Sequence, residues 1–562
     1  LLEASSTVVP MERTSAAARG SRAARWVPAL LIALALLQLL PHLTEVDFHR
    51  EEGRRVLPAR EMIQSGNWVV PTLWGQPYLN KPPGIFWLQA AAQMLGGGLS
   101  TWAARLVSVA ATLATLLALW WTAGRWFSAR AGALAALLFL VSPEVVTKAR
   151  LAEIEAPLAL AVFLALACSW RSRTGPWLWS VAAGLALAAA VFLKGPAALV
   201  FFLGPWLLLA LARREARSLL SGRLGAALLL GLGLPALWAW ALFRQVGAGV
   251  ATAQWSSQVG GQGGHDLAQY LGERASFVPG ALLGAAPASL VLLVGLGTTR
   301  GRELLRSPGA GQALAMIVAG LGFFLVFPGT RVRYIYPALP FVALLAGALL
   351  DRALLAQDDA RLWRRLAALS TAFGVLGLVL VAALGVASLH PLGDIEVGWS
   401  GLCLAVLLAA ASVAALRAGG GRKLAWALFG VPLIVSHVLT GDLESAKAER
   451  HARAPIAAAI DARLGAGEAL HVAFWDNFNT LLHLRHEVRY EPEWREVPAG
   501  SWLLLGEAQL DELEREFPRA RYSAPPWRVE IWEATRVLLR LEERGPPAPE
   551  AQGAQPAHPD PE

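Results

Sequence analysis

Cysteine is almost absent from this chain of 562 residues. Its two copies, Cys168 and Cys403, both lie inside apolar runs, so neither a disulfide framework nor a cysteine zinc site can be built from them. Charge is scarce as well: Asp, Glu, Lys and Arg make up 16% of residues, against about 25% in ordinary soluble domains. Lysine is the rarest of the four, with five copies against 44 arginines. Hydrophobic residues fill the gap at 55%, and mean hydropathy is +0.47. Disordered, fibrous and disulfide-rich classes are thereby excluded, and a large membrane-embedded portion is expected. The formal net charge of +8 does not call for nucleic acid, because in a membrane protein the placement of basic residues matters more than their sum. No G-x-x-x-x-G-K-[ST] run is present, so no nucleotide cofactor is expected, nor a flavin.

A hydrocarbon core about 30 Å thick needs roughly 17–25 apolar residues at about 1.5 Å of rise each. Thirteen stretches qualify: 26–43, 104–124, 130–147, 154–170, 177–193, 196–213, 224–244, 279–298, 311–328, 334–350, 366–387, 401–416 and 424–440. Basic residues alternate between the connections. One set carries 22, among them Arg22, Arg125, Arg171, Arg214, Arg302, Arg364 and Arg422, whereas the opposite short connections carry only Lys148, Arg150, Lys194, Arg244, Arg274, Arg331 and Arg333. The richer side is predicted to be cytoplasmic. Residues 1–25 are then a basic cytoplasmic N-terminus, whether the start is Leu1 or Met11, and the C-terminus lies outside. Residues 26–440 form the multi-span domain. Two outer regions are too polar to span: a first outer loop, 44–103, and everything after about 441. Within 441–545, strand-like runs (469–474, 502–505) alternate with helical ones (454–464, 507–517), predicting a small α/β domain. Residues 546–562 are dominated by Pro, Ala, Gln and Glu and are predicted to be disordered.

Charges at a membrane face are costly unless they reach water or serve a cavity. The outer-face charges fall in five clusters: 49–62 with Glu51 and Glu52; 77–83 with Lys81; 148–157 with Lys148, Arg150, Glu153 and Glu155; 192–196 with Lys194; and 330–337 with Arg331, Arg333 and Tyr334. Carboxylates beside several cations fit transfer of a group from a phosphate-linked lipid carrier: a carboxylate takes the acceptor's proton while Arg and Lys stabilise the departing phosphate. The plainer readings are a salt-bridged loop for Glu51 and Glu52, and interfacial snorkelling for Arg331 and Arg333.

The ordered motifs Glu51-Glu52-Gly53-Arg54, Arg60-Glu61-Met62, Ser65–Pro71, Tyr78–Pro83, Arg150–Pro157, Lys194-Gly195-Pro196 and Arg331–Pro337 resemble those of the bacterial lipid A 4-amino-4-deoxy-L-arabinose transferases and protein O-mannosyltransferases. The resemblance implies an α-helical integral membrane glycosyltransferase of the GT-C type in the bacterial cytoplasmic membrane. It would use a polyprenyl-phosphate-linked sugar donor and a lipid, glycan or protein acceptor, with lipid A modification in the cell envelope as one instance. By position it places Glu51 at the family's catalytic aspartate and Glu52 as the second acid. The pair here is Glu-Glu rather than Asp-Glu, which leaves Asp47 as the alternative catalytic acid. Glu155 matches a second acidic position. Lys81, Arg331, Arg333 and Tyr334 match positions around the carrier-lipid phosphate, joined by Lys194 and Arg150. Asn80 stands where the arabinose-transferase branch often has Glu, so no divalent metal is assigned.

His265 in the loop 245–278 reads either as a substrate or metal contact or as an ordinary loop histidine. Trp475 to Asn479, Arg485 and His486 either touch an acceptor glycan or serve packing and solubility. The rival classes are a membrane transporter or lipid flippase and a catalytically inert glycan-assembly subunit. Nearly charge-free span centres and the lack of an internal repeat speak against transport.

Overall fold

The computed structural model describes residues 25–214, 216–247, 249, 252, 267–355, 359–389, 399–440, 453–473, 478–491, 494–523, 525–531 and 534–543. His265, residues 475–477 and the predicted disordered tail lie outside the described residues. The chain forms two compact units: Leu1–Leu43, Arg105–Ala241 and Ala253–Leu443 make the first, and Thr44–Ala104, Leu242–Thr252 and Glu444–Glu562 the second.

The first unit is helical, and each of the thirteen predicted runs falls on helix. Among the described residues six helices are long and apolar enough to cross a membrane, including Thr101–Trp126, Glu155–Ser172 and Gly222–Val246, and shorter apolar helices such as Leu178–Lys194 and Ala197–Arg213 accompany them. Two predicted runs are not straight. Run 130–147 divides into Ala129–Leu140 and Pro143–Ala149 with a 67° bend, since Pro143 has no N–H to continue the ladder and disfavours helical backbone before it. Run 279–298 falls across Ala268–Gly284 and Ala288–Gly295, bent by 98°.

Small residues let the helices approach closely, as they must where burial alone cannot drive association in lipid. A Cβ added to Gly347 would stand 2.5 Å from the Ala135 nitrogen, which fixes Leu339–Leu355 against Ala129–Leu140. Leu339–Leu350 is buried on all sides, as expected of a central helix with no polar face.

In the second unit the helices Gly53–Ser65 and Gly84–Leu95 pack together, linked through an antiparallel pair of short strands, Thr72–Leu73 and Gln76–Pro77. Glu61 holds this link by accepting from Thr72 Oγ1 and the Trp74 and Gly75 N–H groups. Asn67 caps the Ser65–Pro71 motif through the Val69 and Val70 N–H groups.

The C-terminal part is a six-stranded mixed sheet. Leu470–Val472 lies parallel between Val488–Tyr490 and Trp502–Gly506. Trp502–Gly506 then pairs antiparallel with Ala534–Glu543, which also receives Arg521–Tyr522 and Trp527–Ile531. The alternation of the strand residues puts Leu503, Leu505, Val537 and Leu539 in one core with Leu510 and Leu513 of the helix Glu507–Glu516. The α/β reading of this region holds, and the strands Val488–Tyr490, Arg521–Tyr522, Trp527–Ile531 and Ala534–Glu543 add to the two predicted.

Candidate active site

In the second unit, the acidic pair stands where the helix Gly53–Ser65 begins. Glu52 is its N-cap residue and Glu51 precedes it, so both carboxylates lie at the positive end of a helix dipole. They differ in commitment. Glu52 is fully buried, and its Oε2 accepts from the His49 N–H at 3.1 Å and lies 3.3 Å from His49 Nδ1. Glu51 keeps a side chain 24% exposed, with Arg55 at 3.4 Å and Arg54 at 3.8 Å. Arg55, itself buried, also reaches the Tyr78 hydroxyl at 3.5 Å. Lys81 donates to the Asn80 carbonyl at 3.0 Å.

Asp47 is engaged differently. Its Oδ1 accepts from the Phe48 N–H at 2.7 Å and lies 2.9 Å from His483 Nε2. Burial pushes the carboxyl up, but the His483 hydrogen bond and charge, with the Phe48 and Arg453 N–H groups, outweigh it and hold the carboxyl below its usual range. A carboxylate so stabilised is a weaker base than an ordinary one. Asp47, Arg60 and His483 line a cavity of about 630 Å³ together with Glu45, Ser100 and Thr101.

The segment 478–483 closes round this loop. Asn479 accepts from the Gly53 N–H at 2.9 Å and donates to the Arg50 carbonyl at 3.1 Å, while Arg60 donates to the Leu482 carbonyl at 3.2 Å. Arg485 and His486, predicted as glycan contacts or packing residues, bind Asp461 through a backbone N–H and through Nδ1.

In the first unit a second group gathers where Glu155–Ser172 begins. Lys148 and Glu153 form a buried ion pair of 2.6 Å. Burial and the neighbouring Glu155 charge push the Glu153 carboxyl up, against the pull of Lys148 and Arg333. Arg333 reaches Glu155 at 3.9 Å. The 3₁₀ segment Val332–Ala338 packs on the start of Glu155–Ser172 and presents Tyr334, whose ring carries Lys194 Nζ at 4.4 Å and the Arg333 guanidinium at 5.9 Å. Arg331 is exposed and begins the segment. Arg150 is buried and donates to the Leu39 carbonyl at 2.7 Å.

The predicted residues thus fall into two groups, Asp47, Glu51, Glu52 and Lys81 in one unit and Arg150, Glu155, Lys194, Arg331, Arg333 and Tyr334 in the other. Sequence reasoning did not single out His483, the cap formed by Asn479, or Glu153 as the partner of Lys148. The last was within reach, five residues from Lys148; the other two carried no local signal.

The family model for dolichyl-phosphate-mannose-protein mannosyltransferase matches residues 23–247. An undecaprenyl phosphate-α-4-amino-4-deoxy-L-arabinose arabinosyl transferase of Sodalis glossinidius is 30% identical over 440 residues, which is 74% of this chain and 75% of that protein. The chain belongs to this family of arabinosyl transferases. A further member, from Pseudomonas fluorescens, is 30% identical over 364 residues, and the match spans 65% of its length and 63% of this chain. Among solved structures, ArnT from Cupriavidus metallidurans superposes with a TM-score of 0.70 in the apo state, covering 92% of this chain and 98% of that one at 21% identity. ArnT bound to undecaprenyl phosphate gives 0.68, with 91% and 97% covered at 20% identity. The fold is therefore the multi-pass GT-C membrane architecture that the motifs implied, with the small C-terminal α/β region expected from the alternating runs.

Proposed function

We propose that the chain transfers 4-amino-4-deoxy-L-arabinose, a pentose, from undecaprenyl phosphate to lipid A at the outer face of the bacterial cytoplasmic membrane, with a cytoplasmic N-terminus and an extracytoplasmic C-terminal domain. Residues 26–440 are the transferase domain in this reading and 441–545 the outer domain. The bond from the anomeric carbon to the carrier phosphate breaks as an acceptor oxygen bonds to that carbon. The carrier leaves as its phosphate, and the acceptor proton, where there is one, passes to a carboxylate.

The donor and sugar in this reading are those named for the related arabinosyl transferases, and the choice of the acting residue rests on the contrast among three carboxylates. Asp47 is tied to His483, Glu52 is buried against His49, and Glu51 stays part-exposed at a helix start between two arginines. Glu51 is our choice for the proton acceptor. Arg331 and Arg333 are the cations assigned to the carrier phosphate, with Lys194 of the same unit held on the Tyr334 ring. Arg150, spent on a backbone carbonyl, serves structure in this assignment.

The test is mass spectrometry of lipid A and of undecaprenyl-phosphate sugars in cells with the wild-type chain, without it, and with Glu51→Gln. Loss of the chain should remove one aminoarabinose from lipid A and raise the carrier-linked sugar. In purified enzyme with a lipid A phosphate as acceptor, Glu51→Gln should slow transfer by about tenfold near pH 6. The deficit should shrink above pH 7, because a phosphate monoester loses its second proton near pH 6 unaided. A deficit of about 10²–10⁴ at every pH would indicate a hydroxyl acceptor instead. Unchanged lipid A and an unchanged carrier pool would overturn the reading and favour an inert assembly subunit.

A further inference from the structure

Asn479 makes two hydrogen bonds, and together they bracket the acidic pair. Its side-chain carbonyl receives the Gly53 N–H at 2.9 Å and its amide donates to the Arg50 carbonyl at 3.1 Å. Between those two contacts lie only Glu51 and Glu52. The amide orientation follows from the partners, because an N–H requires an acceptor and a carbonyl a donor.

Both contacts fall where the backbone most needs support. The Gly53 N–H belongs to the first turn of the helix Gly53–Ser65 and has no partner within that helix, and Glu52 as N-cap residue supplies no side-chain cap. Asn479 provides the missing cap from a residue 426 positions away in sequence. On the other side, Arg50 has φ of 54°, a left-handed conformation uncommon for a residue with a Cβ. Such a conformation persists when its surroundings over-determine it, and the amide of Asn479 holds the carbonyl of that residue. The direction in which Glu51 leaves the chain is set by these two peptides.

We propose that Asn479 is a positioning residue for Glu51, capping its helix from the C-terminal segment and fixing the Arg50–Gly53 backbone that aims the carboxylate. The proposal rests on the reading of Glu51 as the acting carboxylate. It gives the short helix Phe478–Leu481 a part in the reaction, although Asn479 touches no reacting atom.

The experiment uses full-length protein in nanodiscs, undecaprenyl-phosphate-linked aminoarabinose as donor and lipid A as acceptor. It compares Glu51→Gln, Asn479→Ala, Asn479→Asp, the Glu51→Gln/Asn479→Ala double variant and His483→Ala. Asn479→Ala should lower kcat near pH 6 by about the same tenfold as Glu51→Gln, since small misplacements of a reacting group are costly, with donor KM within about twofold. The double variant should be no slower than Glu51→Gln alone, because both changes disable one device. Asn479→Asp keeps the Gly53 acceptor but sets a negative charge beside two carboxylates, so the acid limb of its pH–rate profile should move to higher pH. His483→Ala, which disturbs the same segment through Asp47, should lower the melting temperature without moving that limb.

If Asn479→Ala and Asn479→Asp leave kcat and the pH profile of the folded fraction at wild type while Glu51→Gln is slow, the positioning role is overturned and the function of Glu51 stands. If Glu51→Gln is itself silent, both fall. Should Asn479→Ala not fold, the Asn479→Asp profile decides alone.

Discussion

His483 Nε2 sits 2.9 Å from Asp47 Oδ1 across 436 residues of sequence, and both side chains are partly buried, at 26% and 15% exposed. The contact ties the chain just after the first apolar helix to the segment that also carries Asn479. Hydrogen bonds to charged groups contribute about 1.5–3 kcal/mol, and water screens part of that at a half-buried contact such as this one.

Its pH dependence has a defined sign. Asp47's carboxyl is held below its ordinary value of 3.8, so its contribution is complete above that value and is lost as pH falls through the lowered one. His483→Ala should therefore lower the melting temperature at pH 7, and the gap to wild type should narrow below about pH 4. Thermal unfolding of the purified protein between pH 7 and pH 3 checks this; a gap constant over that range would show that the charge on Asp47 is not what the contact stabilises.

The buried pair of Lys148 and Glu153, 2.6 Å apart, should behave differently. Removing one partner strands a charge, so Lys148→Met should cost about 3–5 kcal/mol. Lys148→Met with Glu153→Leu should recover most of it, because apolar replacement of a whole buried pair is often neutral or stabilising. Folded yield and denaturation midpoints of the two singles and the double give the coupling energy. Additive losses would mean that Glu153 depends more on its other neighbours than on Lys148.

Lys194 rests over the Tyr334 ring at 4.4 Å, a cation–π contact that the ring makes without its hydroxyl. Tyr334→Phe should then transfer sugar at close to the wild-type rate. Tyr334→Leu should weaken donor binding by about 2–30-fold, the equivalent of a cation–π contact of about 0.5–2 kcal/mol. Donor KM for the two variants separates the roles, and an equal loss in both would assign the effect to the hydroxyl.

Much of this molecule is written locally. A residue surrounded by lipid has no water to satisfy its backbone, so apolar length alone dictates helix, and all thirteen runs are helical. Pro143, visible in the run 130–147, was the local sign of the bend there. The two strand-like runs of the C-terminal region were readable as short continuous apolar stretches, and Leu470–Val472 and Leu503–Leu505 are indeed buried throughout.

The candidate site was legible only by residue type. Glu51, Glu52 and Asp47 look alike as sequence, three acids within six positions, and nothing in composition or spacing ranks them. Tertiary structure does so, by giving Asp47 an imidazole, Glu52 a closed pocket and Glu51 partial access to water. Helix and strand are decided by periodicity within a few residues, which the chain carries in itself. The state of a carboxylate is decided by which dipoles and charges come within about 4–6 Å; for Asp47 these include His483, more than four hundred residues further along the chain, whereas His49 beside Glu52 and Arg54 and Arg55 beside Glu51 are near in sequence and are aimed at them only by the fold.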